Sequence, residues 1–177
     1  MTRGKRIAYI FVLFVDSFSS LCSFESECRS KGSCSRREWS ENLYEDHSRL
    51  RLNDGHFIPR FGLGVWKMKE GPETVEAIGW ALKVGYRQID TASRYGNEHS
   101  VGRAVRECGL AREEIFVTTK LYDDHHGYNE TLKAFNDSLS RLGLHYVDLY
   151  LIHSPMGGEI LSTWEAMIEL QKKGLVR

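Results

Sequence analysis

Three strand-like segments of this chain end on polar residues at a near-constant interval, and that repeat constrains the fold more than any other feature. Asp90, Lys120 and His153 each close a short apolar or β-branched run, and they lie 30 and then 33 residues apart. An interval of that size holds one strand and one returning helix. The sequence between them agrees. Residues 73–84 place Val75, Ile78 and Leu82 on one helical face, with Pro72 suited to the first turn and Gly85 to the end. Residues 98–108 put Val101, Ala104, Val105 and Cys108 in register ahead of Gly109. Residues 129–142 carry Leu132, Phe135, Leu139 and Leu142, closed by Gly143. Residues 160–173 are faced by Leu161, Trp164, Met167 or Ile168, and Leu170, closed by Gly174. With strands predicted at 61–65, 87–90, 115–120 and 146–153, the alternation specifies an α/β fold of βαβ units on a parallel sheet. Trp80 and Trp164 read as core or helix-packing residues, and Cys108 as a buried helix residue.

Ahead of these units, residues 49–52 and 56–58 flank Asn53-Asp54-Gly55, whose members tolerate positive φ, so an N-terminal β-hairpin is predicted. The first fifty residues have a different character. Arg3, Lys5 and Arg6 precede an apolar run over 7–15 that as a helix rises about 14 Å, roughly half a bilayer core, so no membrane span is expected. The layout of residues 1–22 is that of a secretory leader, which gives a secretory-pathway or extracellular destination; a buried N-terminal strand and an extension without function are the alternatives. Residues 23–49, rich in Ser, Arg and Glu, read as a disordered linker. Cys28 and Cys34 are close enough to bridge in an oxidising compartment, but four cysteines are too few for a disulfide-built scaffold.

Charge and short motifs exclude several function classes. Lys and Arg number 24 and Asp and Glu 24, with no long basic run, which argues against nucleic acid as a partner. No Cys pair has zinc-site spacing, and Asp123-Asp124-His125-His126, taken as an extended loop, point apart, so no metal is expected. Gly62 and Gly64 begin like a dinucleotide fingerprint, yet Lys67 stands where the third glycine belongs.

In parallel α/β folds the working side chains gather at the carboxyl ends of strands. Here those ends carry an acid, a base and an imidazole, and Tyr95 follows Asp90 into the loop above the same rim. A free phenol titrates near about 10 and is a reluctant acid at neutral pH. An ammonium beside it, such as that of Lys120, stabilises the phenolate, and Asp90 would hold that ammonium in place. His153 would hydrogen-bond a substrate oxygen and turn it toward Tyr95. Such a group of residues protonates a carbonyl oxygen as negative charge develops on it, which a hydride-accepting carbonyl requires. Each strand end taken singly also has a bland reading, a polar residue where a strand leaves the core.

The run Gly85-Tyr86-Arg87-Gln88-Ile89-Asp90-Thr91-Ala92-Ser93-Arg94-Tyr95-Gly96-Asn97-Glu98, followed by Val101-Gly102, resembles the signature of the aldo-keto reductases. Leu144-His145-Tyr146-Val147-Asp148-Leu149-Tyr150-Leu151-Ile152-His153-Ser154-Pro155 resembles their second hallmark, and Phe116-Val117-Thr118-Thr119-Lys120-Leu121 the segment between. The resemblance runs over 50–177. It implies a (β/α)8 TIM-type barrel that reduces carbonyl substrates with NADPH. It implies Tyr95 as proton donor, Lys120 as the group that makes it acidic, Asp90 as support for Lys120, and His153 as the group that orients the carbonyl. Gly64 and Val65, with Asp90, would lie at the nicotinamide, and Trp66, Tyr122 and His153 would line the substrate pocket. Gln88 stands where the signature usually has His or a small residue, Tyr122 where many members have Trp, and Ser154 where many have Trp or Phe. The last two changes make the expected pocket less aromatic.

Length sets a further expectation. Residues 50–177 amount to about half of the roughly 250 residues of a complete barrel. Only the first four βα units are then present, and four strands do not close a barrel. Two open sheet edges would invite either a complementary half or aggregation. A non-catalytic half-barrel binding protein or an inactive truncated isoform is therefore the alternative to a reductase. The resemblance also implies a cytoplasmic location, as in most relatives, against the export implied by the leader.

Overall fold

The computed structural model describes residues 49–177 together with a strand at Tyr9–Val12 (β1). The remainder of the predicted leader (1–22), the linker at 23–48, Cys28 and Cys34 lie outside the described residues. Two compact units divide the chain, one comprising 1–11 and 62–177, the other 12–61. In the smaller unit, β2 (Arg49–Arg51) and β3 (Phe57–Pro59) form the predicted antiparallel hairpin, with Leu50 opposite Ile58. Its turn closes through Leu52 N–H to His56 O at 2.7 Å, with Gly55 at φ 92° and the Asp54 carboxylate accepting from His56 N–H.

The larger unit is a parallel sheet covered by helices. β4 (Phe61–Gly64) leads to α1 (Pro72–Lys83), β5 (Gln88–Asp90) to α2 (Glu98–Glu107), β6 (Phe116–Leu121) to α3 (Tyr128–Leu142), and β7 (Leu149–Ile152) to α4 (Ile160–Lys172). Sheet order is β1-β4-β5-β6-β7, so β1, within the apolar run over 7–15, stands beside β4. The pairs β4–β5, β5–β6 and β6–β7 are all parallel, which puts every carboxyl end of these four strands on one side. Successive helices pack side by side, α1 on α2, α2 on α3, and α3 on α4. No helix among the described residues is long and apolar enough to cross a membrane.

The core lies between sheet and helices. Ile89, Val117 and Leu121 of the strands meet Ile78, Val101, Phe135 and Leu142 of the helices, all fully buried. Alternation along β6 sends Val117, Thr119 and Leu121 toward the helices and Thr118 and Lys120 to the opposite face. Gly102 of α2 sits so close to α3 that a Cβ there would lie 1.7 Å from Leu142 O. Arg106 of α2 donates to Leu142 O and, at 3.2 Å, to Gly143 O, satisfying carbonyls at the α3 terminus.

Several details depart from the sequence reading. The strand predicted over 146–153 shortens to Leu149–Ile152. Its first part is diverted, because Val147 bridges Val176 in parallel and the Asp148 carboxylate accepts from Val117 N–H at 2.9 Å. Trp80 and Trp164 are 64% and 56% exposed rather than packed. α1 buries Thr74, Ile78 and Leu82, which turns Trp80 outward, and its ring carries the Lys83 ammonium at 5.0 Å. α4 buries Thr163, Ala166, Met167 and Leu170, so Leu161 and Trp164, an equally periodic set one step round the helix, face out. Cys108 is half-buried just past α2 and is a free thiol whose Sγ lies 3.1 Å from Val105 O. The segment Asp123–His125 is a 3₁₀ turn, not an extended loop.

Candidate active site

Asp90, Lys120 and His153 stand at the carboxyl ends of β5, β6 and just past β7, on adjacent strands. Register places Asp90 beside Thr118 and Lys120 beside Leu151. His153 continues the face of Leu149 and Leu151, and its N–H donates to Leu121 O at 3.0 Å. Tyr95 ends the 3₁₀ turn Ser93–Tyr95, which is tied down by Ser93 Oγ donating to Lys120 O at 3.0 Å. Gly96, at φ 65°, supplies the left-handed residue that lets the chain enter α2.

The four predicted side chains converge. Lys120 Nζ donates to Asp90 Oδ1 at 2.6 Å, to Thr91 O at 3.0 Å and, at 3.4 Å, to Tyr95 Oη. The Tyr95 ring meets the His153 ring edge-on, with centroids 5.7 Å apart and planes at 83°. Because Tyr95 Oη accepts from an ammonium, its own proton is left to point at a third partner. Burial, with the Lys120 charge second, holds His153 below the ordinary imidazole range. The ring is therefore neutral at pH 7 and has one N–H to give. His153 Nδ1 is buried and has no protein partner. An oxygen between the phenol and the imidazole would meet a donor from each, with the Asp90 carboxylate engaged by Lys120. That is the environment an oxygen acquiring charge requires.

The predicted cofactor-side residues also come together. Gly64 pairs with Asp90 across β4 and β5, and Val65 N–H donates to Asp90 O at 3.0 Å. Trp66 follows on the loop, half exposed, with the Lys67 ammonium 4.5 Å from its ring centroid. Tyr122 lies two residues beyond Lys120, and the Arg94 guanidinium stands 4.8 Å from its ring centroid. Gln88 is buried against Gly62, where a Cβ would meet its Cγ at 2.9 Å. Among the described residues, no three or more His, Cys, Asp or Glu side chains gather as a metal site.

Asn97 is the residue that sequence reasoning missed. It is fully buried, and its Nδ2 donates to both Val65 O and Met68 O at 2.9 Å while its Oδ1 accepts from Thr91 Oγ1 at 2.7 Å. These bonds clamp the loop bearing Trp66 to the strand end bearing Asp90. The clamp holds a strained turn, since Lys67 within it has φ 65°, a left-handed conformation unfavourable for a residue with a Cβ. The available signal was an Asn in the segment after Tyr95, which does not reveal its partners.

With this geometry in hand, comparison with known proteins gives consistent matches. The model of the Aldo/keto reductase family matches residues 60–177. A 9,11-endoperoxide prostaglandin H2 reductase of Trypanosoma cruzi is 46% identical over 128 residues, 72% of this chain and 45% of that protein. A glyoxal reductase of Bacillus subtilis is 48% identical over 128 residues, 72% of this chain and 46% of that protein. The chain thus spans about half the length of the curated relatives it matches. A crystal structure of an aldo/keto reductase from Brucella melitensis superposes with a TM-score of 0.70 at 52% identity, covering 72% of this chain and 50% of the other. A Bombyx mori aldo-keto reductase in complex with NADP gives 0.68 at 39% identity, covering 73% and 48%.

Proposed function

Because the chain belongs to the aldo/keto reductase family, we propose that it carries the catalytic rim of an NADPH-dependent reductase that converts small aldehydes or ketones to alcohols. The observation that carries this reading is the meeting of Tyr95, Lys120 and His153 around one opening, with Asp90 holding the ammonium. The phenol of Tyr95, the ammonium of Lys120 and the imidazole of His153 supply donors for a carbonyl oxygen, and the residues beside Asp90 suit a nicotinamide. Gly64, Val65 and Asp90 would hold the nicotinamide end, and NADPH, when bound, supplies the hydride that reaches the carbonyl carbon. Tyr95 gives its proton to the carbonyl oxygen, and Lys120 stabilises the phenolate left behind. His153, neutral, donates its N–H to the same oxygen and sets its direction. Trp66 and Tyr122 wall the opening. A glyoxal reductase among the relatives favours short dicarbonyl compounds as the substrate class.

Tyr95→Phe tests the assignment of the acid. Turnover of methylglyoxal by the intact enzyme should fall by on the order of 10²–10⁴-fold, while NADPH binding, followed by nucleotide fluorescence, stays near that of the unmodified protein. Full activity in this variant would remove Tyr95 from the mechanism.

One observation favours a second reading, a binding subunit without turnover. Leu161 and Trp164, one turn apart on α4, are exposed apolar side chains of the kind that take a partner. Nucleotide binding without any NADPH consumption in the presence of methylglyoxal would support it.

A further inference from the structure

We propose that Arg94 is a carboxylate-binding residue at the mouth of the site, and that it extends the substrate range from neutral short dicarbonyls to compounds with an acid group beside the reacting carbonyl, as in 2-oxo acids. The inference rests on the carbonyl-reductase reading for its kinetic consequence, but not for the anion site itself. Arg94 occupies the middle of the turn Ser93–Tyr95. One neighbour, Ser93, is bonded to Lys120 O, and the other, Tyr95, packs on His153. The backbone under Arg94 is thus held by two contacts to the working residues. Its guanidinium stacks on Tyr122 at 4.8 Å. Tyr122 follows Lys120 by two residues, and side chains two apart along an extended chain share a face, so the stack stands at the same opening.

A guanidinium held over a ring, with no ion pair of its own, keeps N–H groups for a planar, bidentate acceptor such as a carboxylate. No such acceptor is supplied internally. Among the described residues no acid forms an ion pair with Arg94, Asp90 is engaged by Lys120, and Asp123 beside Tyr122 makes no bond to it. Asp123 Oδ1 is instead buried without a hydrogen-bond partner. Lys120 and Arg94 oppose protonation of His153 while Asp123 and Asp90 favour it; of the two cations Lys120 is paired with Asp90, which leaves Arg94 as the one without an ion-pair partner among the described residues. The Arg94 charge reaches His153, so the anion site and the imidazole that would orient the carbonyl lie within electrostatic range of each other. That geometry selects ligands whose carboxylate and carbonyl are only a few bonds apart.

The test compares glyoxylate with methylglyoxal, matched in size and differing in charge. Arg94→Ala should lower kcat/KM for glyoxylate by roughly 10- to 100-fold, the loss expected of one charge-assisted pair, and leave methylglyoxal within about twofold. Arg94→Lys should restore part of the loss, and raising the salt concentration should weaken glyoxylate alone. Calorimetric titration with oxamate, without nucleotide, reads the anion site independently of turnover, and Arg94→Ala should abolish the binding. An unchanged glyoxylate-to-methylglyoxal ratio in Arg94→Ala, or oxamate binding that survives it, overturns the proposal while the reductase reading stands. Oxamate binding that depends on Arg94 in a protein reducing neither aldehyde keeps the anion site and removes the reductase reading.

Discussion

Each end of the parallel sheet is built around one acid–base ion pair, and the two pairs are finished differently. At the carboxyl end, Lys120 and Asp90 meet at 2.6 Å, and the third donor of the ammonium reaches Tyr95 only at 3.4 Å. At the amino end, Arg112 and Asp148 meet at 2.7 Å, and both carboxylate oxygens are engaged, Oδ2 also by Val117 N–H and Oδ1 by Arg177 at 3.7 Å. Arg112 further bonds the carbonyls of Ile115 and Tyr146, and its guanidinium and that of Arg177 both lie over the Tyr146 ring. The lower pair is spent on the fold. The upper pair leaves a phenol proton and an imidazole nitrogen without protein partners. Charge neutralisation therefore serves stability where both carboxylate oxygens are tied into the fold, even with Arg112 Nε left without a partner, and reactivity where the unpartnered groups stand at the rim of Asp90, Lys120 and His153.

Matched substitutions would break this contrast if it is wrong. Asp148→Asn should have the largest effect on stability, about 3–5 kcal/mol by urea unfolding, because Arg112 keeps its charge in a site built for an anion. Asp90→Asn should move stability far less and instead lower turnover by tenfold or more, on the order of the loss of support for a proton donor. Equal destabilisation by the two would erase the distinction.

Asn97→Ala sharpens it, since this residue is structural in kind but sits at the working end. The buried carbonyl of Val65 and the partly buried one of Met68 lose their donor, at a cost of roughly 1–3 kcal/mol. Here stability and activity should fall together. Hydrogen exchange should quicken over 65–68, and a variant protected as well as the parent would exclude the clamp.

The smallest effect concerns pH. Burial and the Lys120 charge lower the His153 pKa in the folded chain below the ordinary imidazole value of about 6.5. Near that pH the unfolded chain holds more protons than the folded one, so the contribution of this residue to stability is complete above about 6.5 and declines as pH falls below it. His153→Gln should flatten that part of the stability profile. An unaltered profile would mean that the imidazole titrates alike in both states.

Much of this was readable from the chain alone, for a physical reason. Asp90, Lys120 and His153 close consecutive βα units, and in a parallel sheet the ends of consecutive strands are neighbours, so spacing along the chain carried over into proximity. The hairpin around Asp54 and Gly55 was readable because its turn is local. Asn97 was not, because its meaning lies in carbonyls about thirty residues earlier. The face of α4 was half readable: Met167 and Leu170 are buried as expected, but Leu161 and Trp164, at helical spacing from them, turn outward while Thr163 and Ala166 turn in. Periodicity identifies a helix, but only the neighbouring layer selects the face. Trp80 and Trp164 show the same limit, since ring size says nothing about which side of a helix is covered.

The absent side chain at Gly102 sets a mechanical tolerance. With the α3 carbonyl occupying the space a methyl group would need, α2 and α3 are seated without a spacer, and neither can slide or tilt without carrying the other. α2 follows the strand of Asp90 and α3 follows the strand of Lys120, so this seam on the outer wall gauges the gap between acid and amine on the inner one. A single added carbon there would be felt as a misfit at the far side of the sheet, long before any helix came undone.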